Sequence, residues 1–252
     1  MSDLENADPS AADSTRLPRT WDFMETLFVA LIADGAFALT GGLALSVLLV
    51  AYGGAKNLPP AEFQAVWVQG RWQASGIILG TPATIAVLWV AIRMAGRDFA
   101  DYLALTWPSR DEVVCGFGIM IILITVEAFV TIKLGIVGPR ANSDFVVGGA
   151  AGLFTLALGY CVAAPVLEEF VFRGFMFRGW SQSFLGPFGA IVLTAALWAL
   201  NHTQYGWYDR SLLFVTGLVL GYFRLRTNST WLPVMLHSGM NMTIIFLGGP
   251  YV

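Results

Sequence analysis

Glu168, Glu169 and Arg173 stand together in the stretch P-V-L-E-E-F-V-F-R, at the end of an apolar run. From Gly148 to Ala164 that run holds no ionisable side chain except Tyr160 and Cys161. An ionised carboxylate in the middle of a membrane helix costs about 2.5 to 3.5 kcal/mol on insertion scales, so such residues are functional-site candidates by default. The i,i+4 spacing brings Glu169 and Arg173 onto one face and leaves Glu168 free for chemistry. The bland alternative is a buried ion-pair network that fixes helix packing and nothing more. The chain has two histidines, His202 in L-W-A-L-N-H and His237 in L-P-V-M-L-H-S-G-M-N, and both lie in later apolar segments. His237 and Asn241 are four apart and share one helix face. A carboxylate with an imidazole can activate water, and a second imidazole with an amide can hold a tetrahedral oxyanion, which together suit hydrolysis of an amide bond. Glu168, His202 and His237 could equally form a three-ligand zinc site with an open fourth position. The residues alone leave both open.

The elements that must carry these groups are membrane helices. The 252 residues are 56% hydrophobic and 12% charged, with a mean hydropathy of +0.67, a balance that excludes an ordinary soluble domain. No Lys/Arg cluster occurs, so no nucleic-acid partner is expected. Cys115 and Cys161 sit in apolar segments without CxxC spacing and read as packing residues. Spans of about 20 apolar residues fall near 24–52, 73–95, 113–137, 147–172, 187–203, 210–226 and 231–249. The fold class is therefore an all-α polytopic transmembrane bundle of about seven to eight spans, with a catalytic core of four C-terminal helices. The chain divides into a disordered tail over 1–20, supporting helices over 21–146 and a catalytic core over 147–252.

Several details of the supporting part are expectations of the same kind. The first span is long enough to tilt or to break at Gly41-Gly42, and its Asp34 reads as a polar contact within the bundle. The stretch 52–72, with Phe63, Trp67 and Trp72, suits a helix lying in the interface as a lid or rim. The link from Arg93 to Glu112 reads as a solvated loop turning at Trp107-Pro108, and Glu127 as a bundle contact. Gly148 with Gly152, and Gly217 with Gly221, make G-x-x-x-G pairs for close helix packing. Loop cations number eight on the side of the N-terminal tail and five on the other, which favours a cytoplasmic N-terminus. Helix rise puts Glu168 and His202 at matching depth, and His237 joins them if the fourth span projects from the bilayer. On that reckoning the constellation lies in the half nearer the N-terminal tail, wetted from that side.

Three motifs in order resemble the type II CAAX prenyl endopeptidases and their bacterial relatives, the CAAX protease and bacteriocin-processing (Abi) membrane proteins. E-E-x-x-x-R matches at Glu168, Glu169 and Arg173, F-x-x-x-H at His202, and H-x-x-x-N at His237 and Asn241. Trp198 stands where the family pattern has Phe, a change expected to alter packing alone. The resemblance covers about 147–249. It implies an intramembrane endopeptidase, either glutamate-type or a metalloprotease, acting on a membrane-anchored protein or peptide. Glu168 and His202 would activate the water, and His237 and Asn241 would form the oxyanion site. No cofactor is expected on the glutamate-type reading, and zinc on the other. The short chain with its acidic tail reads as bacterial, which gives an inner membrane as the expected location. The alternative is a non-proteolytic scaffold or bacteriocin-immunity protein that keeps the fold.

Overall fold

The computed structural model describes residues 21–52, 59, 70–136 and 149–247, and among them every regular element is helical. The expected tail over 1–20, Gly148 and most of the interfacial stretch lie outside the described residues. Eight helices follow in order: α1 (Phe23–Tyr52), α2 (Gly70–Met94), α3 (Phe99–Leu103), α4 (Arg110–Lys133), α5 (149–181), α6 (Gly186–Asn201), α7 (Trp207–Thr227) and α8 (Trp231–Leu247). By length and apolar content α1, α2, α4 and α5 can each cross a membrane, whereas α6 is shorter and α7 carries four charged side chains. The chain is an integral membrane bundle in which the later helices rely on their neighbours.

Local chemistry sets the helix starts. Asp22 and Glu25 exchange side-chain bonds to each other's backbone N–H, at 2.8 and 3.1 Å, and open α1. Ser109 and Glu112 make the same reciprocal cap for α4. The link read as a solvated loop holds α3 instead. Asp98 caps it by accepting from the N–H groups of Ala100 and Asp101, and Ala104 ends it at a φ of 52°. With Tyr102 and Leu103 buried beneath it, the segment is a plug, and burial pushes the Tyr102 phenol up to about 12. The α7–α8 turn is tied to this plug: the Thr230 N–H donates to the Ala104 carbonyl at 2.9 Å, and Thr106 Oγ1 donates to the Asn228 carbonyl at 2.7 Å.

Close approach is decided by glycine. Helix α1 stays continuous through Gly41-Gly42 rather than breaking there. These small residues serve contact with α2: a Cβ on Gly41 would lie 2.7 Å from the Gly76 carbonyl oxygen, and one on Gly80 would lie 2.7 Å from the Phe37 ring. Thr84 Oγ1 donates to the Ala33 carbonyl farther along, so the two helices run antiparallel. In α7, a Cβ on Gly217 would meet Ala195 at 2.9 Å and one on Gly221 would meet Ile191 at 2.9 Å, which seats α7 on α6. Asp34 is exposed on α1 and has no partner among the described residues, so it is not a bundle contact.

The start of α1 and the α5–α6 turn share one end of the bundle, where Phe23 stacks on Trp180 at 5.1 Å and its carbonyl accepts from the Trp180 indole. The α6–α7 loop, the start of α2 and the end of α8 gather at the other end.

Candidate active site

Helix α5 is not regular, and its two wide turns place the site. Over Gly159–Ala163 the Ala164 N–H bonds the Gly159 carbonyl, one residue further back than in an α-helix. In that register the Tyr160 carbonyl would need an N–H from residue 165, which is proline and has none. Asn241 supplies the missing donor: its Nδ2 reaches the Tyr160 oxygen at 2.7 Å. Over Phe170–Met176 the Phe177 N–H bonds the Phe172 carbonyl, which releases the Arg173 carbonyl, and Arg224 Nε takes it at 3.0 Å. A buried carbonyl left bare costs about 1 to 3 kcal/mol, so each irregular turn depends on a side chain from another helix. Such wide turns concentrate at functional sites.

Between these turns lie the glutamates. Glu169 and Arg173 are both 0% exposed and pair at 3.0 Å through Oε1 and Nη1. The same Oε1 accepts from His237 Nδ1 at 2.9 Å. Arg173 also donates from Nη2 to the Gly217 carbonyl at 3.3 Å, and its guanidinium lies 4.8 Å from the centre of the Trp198 ring. The triad is thus a buried network joining α5, α7 and α8.

Glu168 is not left free. Its Oε2 accepts a hydrogen bond from Trp198 Nε1, and the Trp198 backbone carbonyl in turn bonds His202 Nδ1 at 2.8 Å. Trp198 therefore bridges the two groups expected to activate water, a role that the phenyl ring of the family pattern lacks the N–H to fill. The expectation that Trp198 changes packing alone is overturned. A carbonyl can only accept, so His202 carries a proton on Nδ1 and turns Nε2 away from that bond. By the same logic His237 carries its proton on Nδ1, because the Glu169 oxygen already accepts from Arg173.

Glu168, His202, His237 and Asn241 all line one cavity of about 860 Å³. Glu169 and Arg173 lie behind its wall. The first helices, expected only to support, line it directly: Phe37, Gly41 and Leu45 from α1, and Gln73 and Gly76 from α2. Gln73 Oε1 accepts from the Tyr160 hydroxyl at 2.9 Å. Thr203, Gln204 and Tyr205 of the α6–α7 loop complete the mouth. The cavity consequently opens at the end of the bundle away from the start of α1, not in the half nearer the N-terminal tail. Helix rise fixed relative depth along α5 and α6, but it could not say toward which end the walls parted.

Arg210 is a site-building residue that sequence reasoning placed among loop cations. Its Nε donates to the carbonyls of His202 and Tyr205 at 3.1 and 3.0 Å, and its Nη2 to that of Thr203 at 2.9 Å. These carbonyls sit at the negative end of α6, where a cation is favoured, and the clamp holds the loop that carries His202. The available signal was a lone arginine eight residues after a helix-ending histidine. Glu127 lies outside the main cavity. It is buried, accepts from Thr216 Oγ1 at 3.4 Å, and borders a separate small cavity with Asp209.

The donor types suit the zinc alternative as well as the metal-free one: Glu168 Oε1 and the Nε2 atoms of His202 and His237 are unengaged, and a histidine whose Nδ1–H is held by an oxygen acceptor is the usual metal-binding form. Among the described residues no three His, Cys, Asp or Glu side chains are gathered to hold a metal ion.

No curated protein and no solved structure matches the chain. Residues 150–243, which include every side chain of the three motifs, match the family model described as Type II CAAX prenyl endopeptidase Rce1-like, so the family that the motifs resemble and the family that the domain matches are the same.

Proposed function

We propose that this chain is an intramembrane endopeptidase that hydrolyses a peptide bond of a membrane-anchored protein or peptide. The observation that carries the reading is the Trp198 bridge, which holds a carboxylate and an imidazole protonated on Nδ1 on the wall of one cavity. The attacking water donates hydrogen bonds to Glu168 and His202 Nε2, and it gives one proton to Glu168 as its oxygen bonds the scissile carbonyl carbon. The tetrahedral oxyanion then collapses, the C–N bond breaks, and the leaving amine receives that proton. His237 donates from Nε2 when that nitrogen carries a proton. Asn241 keeps one of its two N–H groups for the oxyanion after serving the Tyr160 carbonyl. We place the N-terminus in the cytoplasm of a bacterial cell, in its inner membrane, on the excess of cations at that end. The cavity then opens toward the opposite membrane face.

The test is cleavage of a membrane-anchored peptide library by purified protein in proteoliposomes. Glu168→Gln and His202→Ala are expected to abolish turnover with the fold intact, and cleavage is expected to survive exhaustive chelation. Turnover in either variant would overturn the mechanism. Activity lost with chelator and restored by zinc would overturn its metal-free form. An intact wild type that cleaves nothing would move the protein to the binding or immunity reading.

A further inference from the structure

On the peptidase reading the motif residues supply few free hydrogen-bond donors: His237 has committed its Nδ1–H to Glu169, and Asn241 has committed one N–H to the Tyr160 carbonyl. Among the other neutral donors on the cavity wall, the one stacked on His202 is a phenol that no motif includes. Tyr205 lines the cavity together with Glu168, His202 and His237, and its ring lies parallel to that of His202, with centroids 5.9 Å apart and planes 10° from each other. The backbone around it is fixed: the Tyr205 N–H donates to the His202 carbonyl at 3.1 Å, and its own carbonyl accepts from Arg210 at 3.0 Å. Its hydroxyl has no hydrogen-bond partner among the described residues. A phenol in that position would keep its proton, because burial, with the carboxylates of Asp209 and Glu168, pushes its titration above the ordinary tyrosine range.

We propose that Tyr205 is a catalytic residue of this site, its hydroxyl donating a hydrogen bond to the scissile carbonyl oxygen as negative charge develops there. This inference rests on the peptidase reading and deepens it. As the water oxygen bonds the carbonyl carbon, the carbonyl π pair moves onto oxygen, and the Tyr205 O–H···O bond strengthens without transferring its proton. Collapse of the intermediate reverses that change as the C–N bond breaks.

Tyr205→Phe isolates the hydroxyl, because the phenyl ring retains the stack on His202. The expected result is a fall in kcat of roughly 100-fold or more, the scale of one lost oxyanion donor, with KM and thermal stability little changed. A peptide phosphonate, which carries the tetrahedral oxyanion without turning over, should bind the Phe variant more weakly by a similar factor, while a non-cleavable ground-state peptide should bind both proteins equally. Wild-type cleavage with Tyr205→Phe within about threefold of it would overturn the proposal and spare the peptidase reading. Equal phosphonate affinity in the two proteins would overturn it as well, and that measurement stands even if no cleavable substrate is found. A loss confined to KM, or matched by a fall in stability, would show a packing role and also refute it.

Discussion

Replacing Trp198 by Phe tests the bridge that the sequence did not reveal. The substitution keeps an aromatic ring under the Arg173 guanidinium, which lies 4.8 Å from the indole, and keeps the backbone carbonyl that orients His202. It removes one atom group that matters, the Nε1–H on Glu168 Oε2. A hydrogen bond to a charged group is worth about 1.5 to 3 kcal/mol. If the bond holds Glu168 in its reactive geometry, losing it should lower kcat by roughly 10- to 150-fold, taking 1.36 kcal/mol per factor of ten. Because Trp198 is fully buried, the smaller ring should also cost about 1 to 2 kcal/mol of stability. The assay is cleavage of a fluorogenic membrane-anchored peptide in proteoliposomes, run beside thermal unfolding in detergent so that the two losses are read separately. Turnover of the Phe variant within about twofold of wild type would refute the positioning argument. That outcome would carry weight, since Phe is the residue of the family pattern at this position.

Two further expectations concern the groups behind the wall. Arg173→Ala should cost about 3 to 5 kcal/mol by stranding the Glu169 carboxylate in a fully buried site. Glu169→Gln, which keeps an acceptor for one partner, should cost less, and equal thermal stabilities for the two variants would count against the network. Arg210→Ala should lower kcat by roughly 10-fold or more by loosening the loop that carries His202 and Tyr205, and should destabilise the fold by about 1 to 3 kcal/mol as the three carbonyls lose their donor. Arg210→Lys should rescue only part of this, since one ammonium cannot reproduce the guanidinium fork. Full activity in Arg210→Ala would show that the loop holds itself.

The helices were legible in the chain because apolar length and the cost of bare backbone in lipid leave few other solutions. The Glu169–Arg173 pair was equally legible, being a local i,i+4 relation that any helix would create. So was the close packing at Gly217 and Gly221, since a small residue every fourth position announces contact whatever the partner. Tertiary structure decided the rest. That Asn241 and Arg224 would cap carbonyls of α5 depends on two wide turns, one of them set by Pro165 lacking an N–H and both completed only when distant helices arrive. The Trp198 indole meets Glu168 across the α5–α6 packing, and no spacing along one helix encodes a contact between two. Helices α1 and α2 show no motif of the site, yet they wall its cavity, because a wall is made by where helices diverge rather than by what chemistry they carry. The residue types that could do the chemistry were set by the sequence, whereas their partners and the end of the bundle toward which their cavity opens were set by packing.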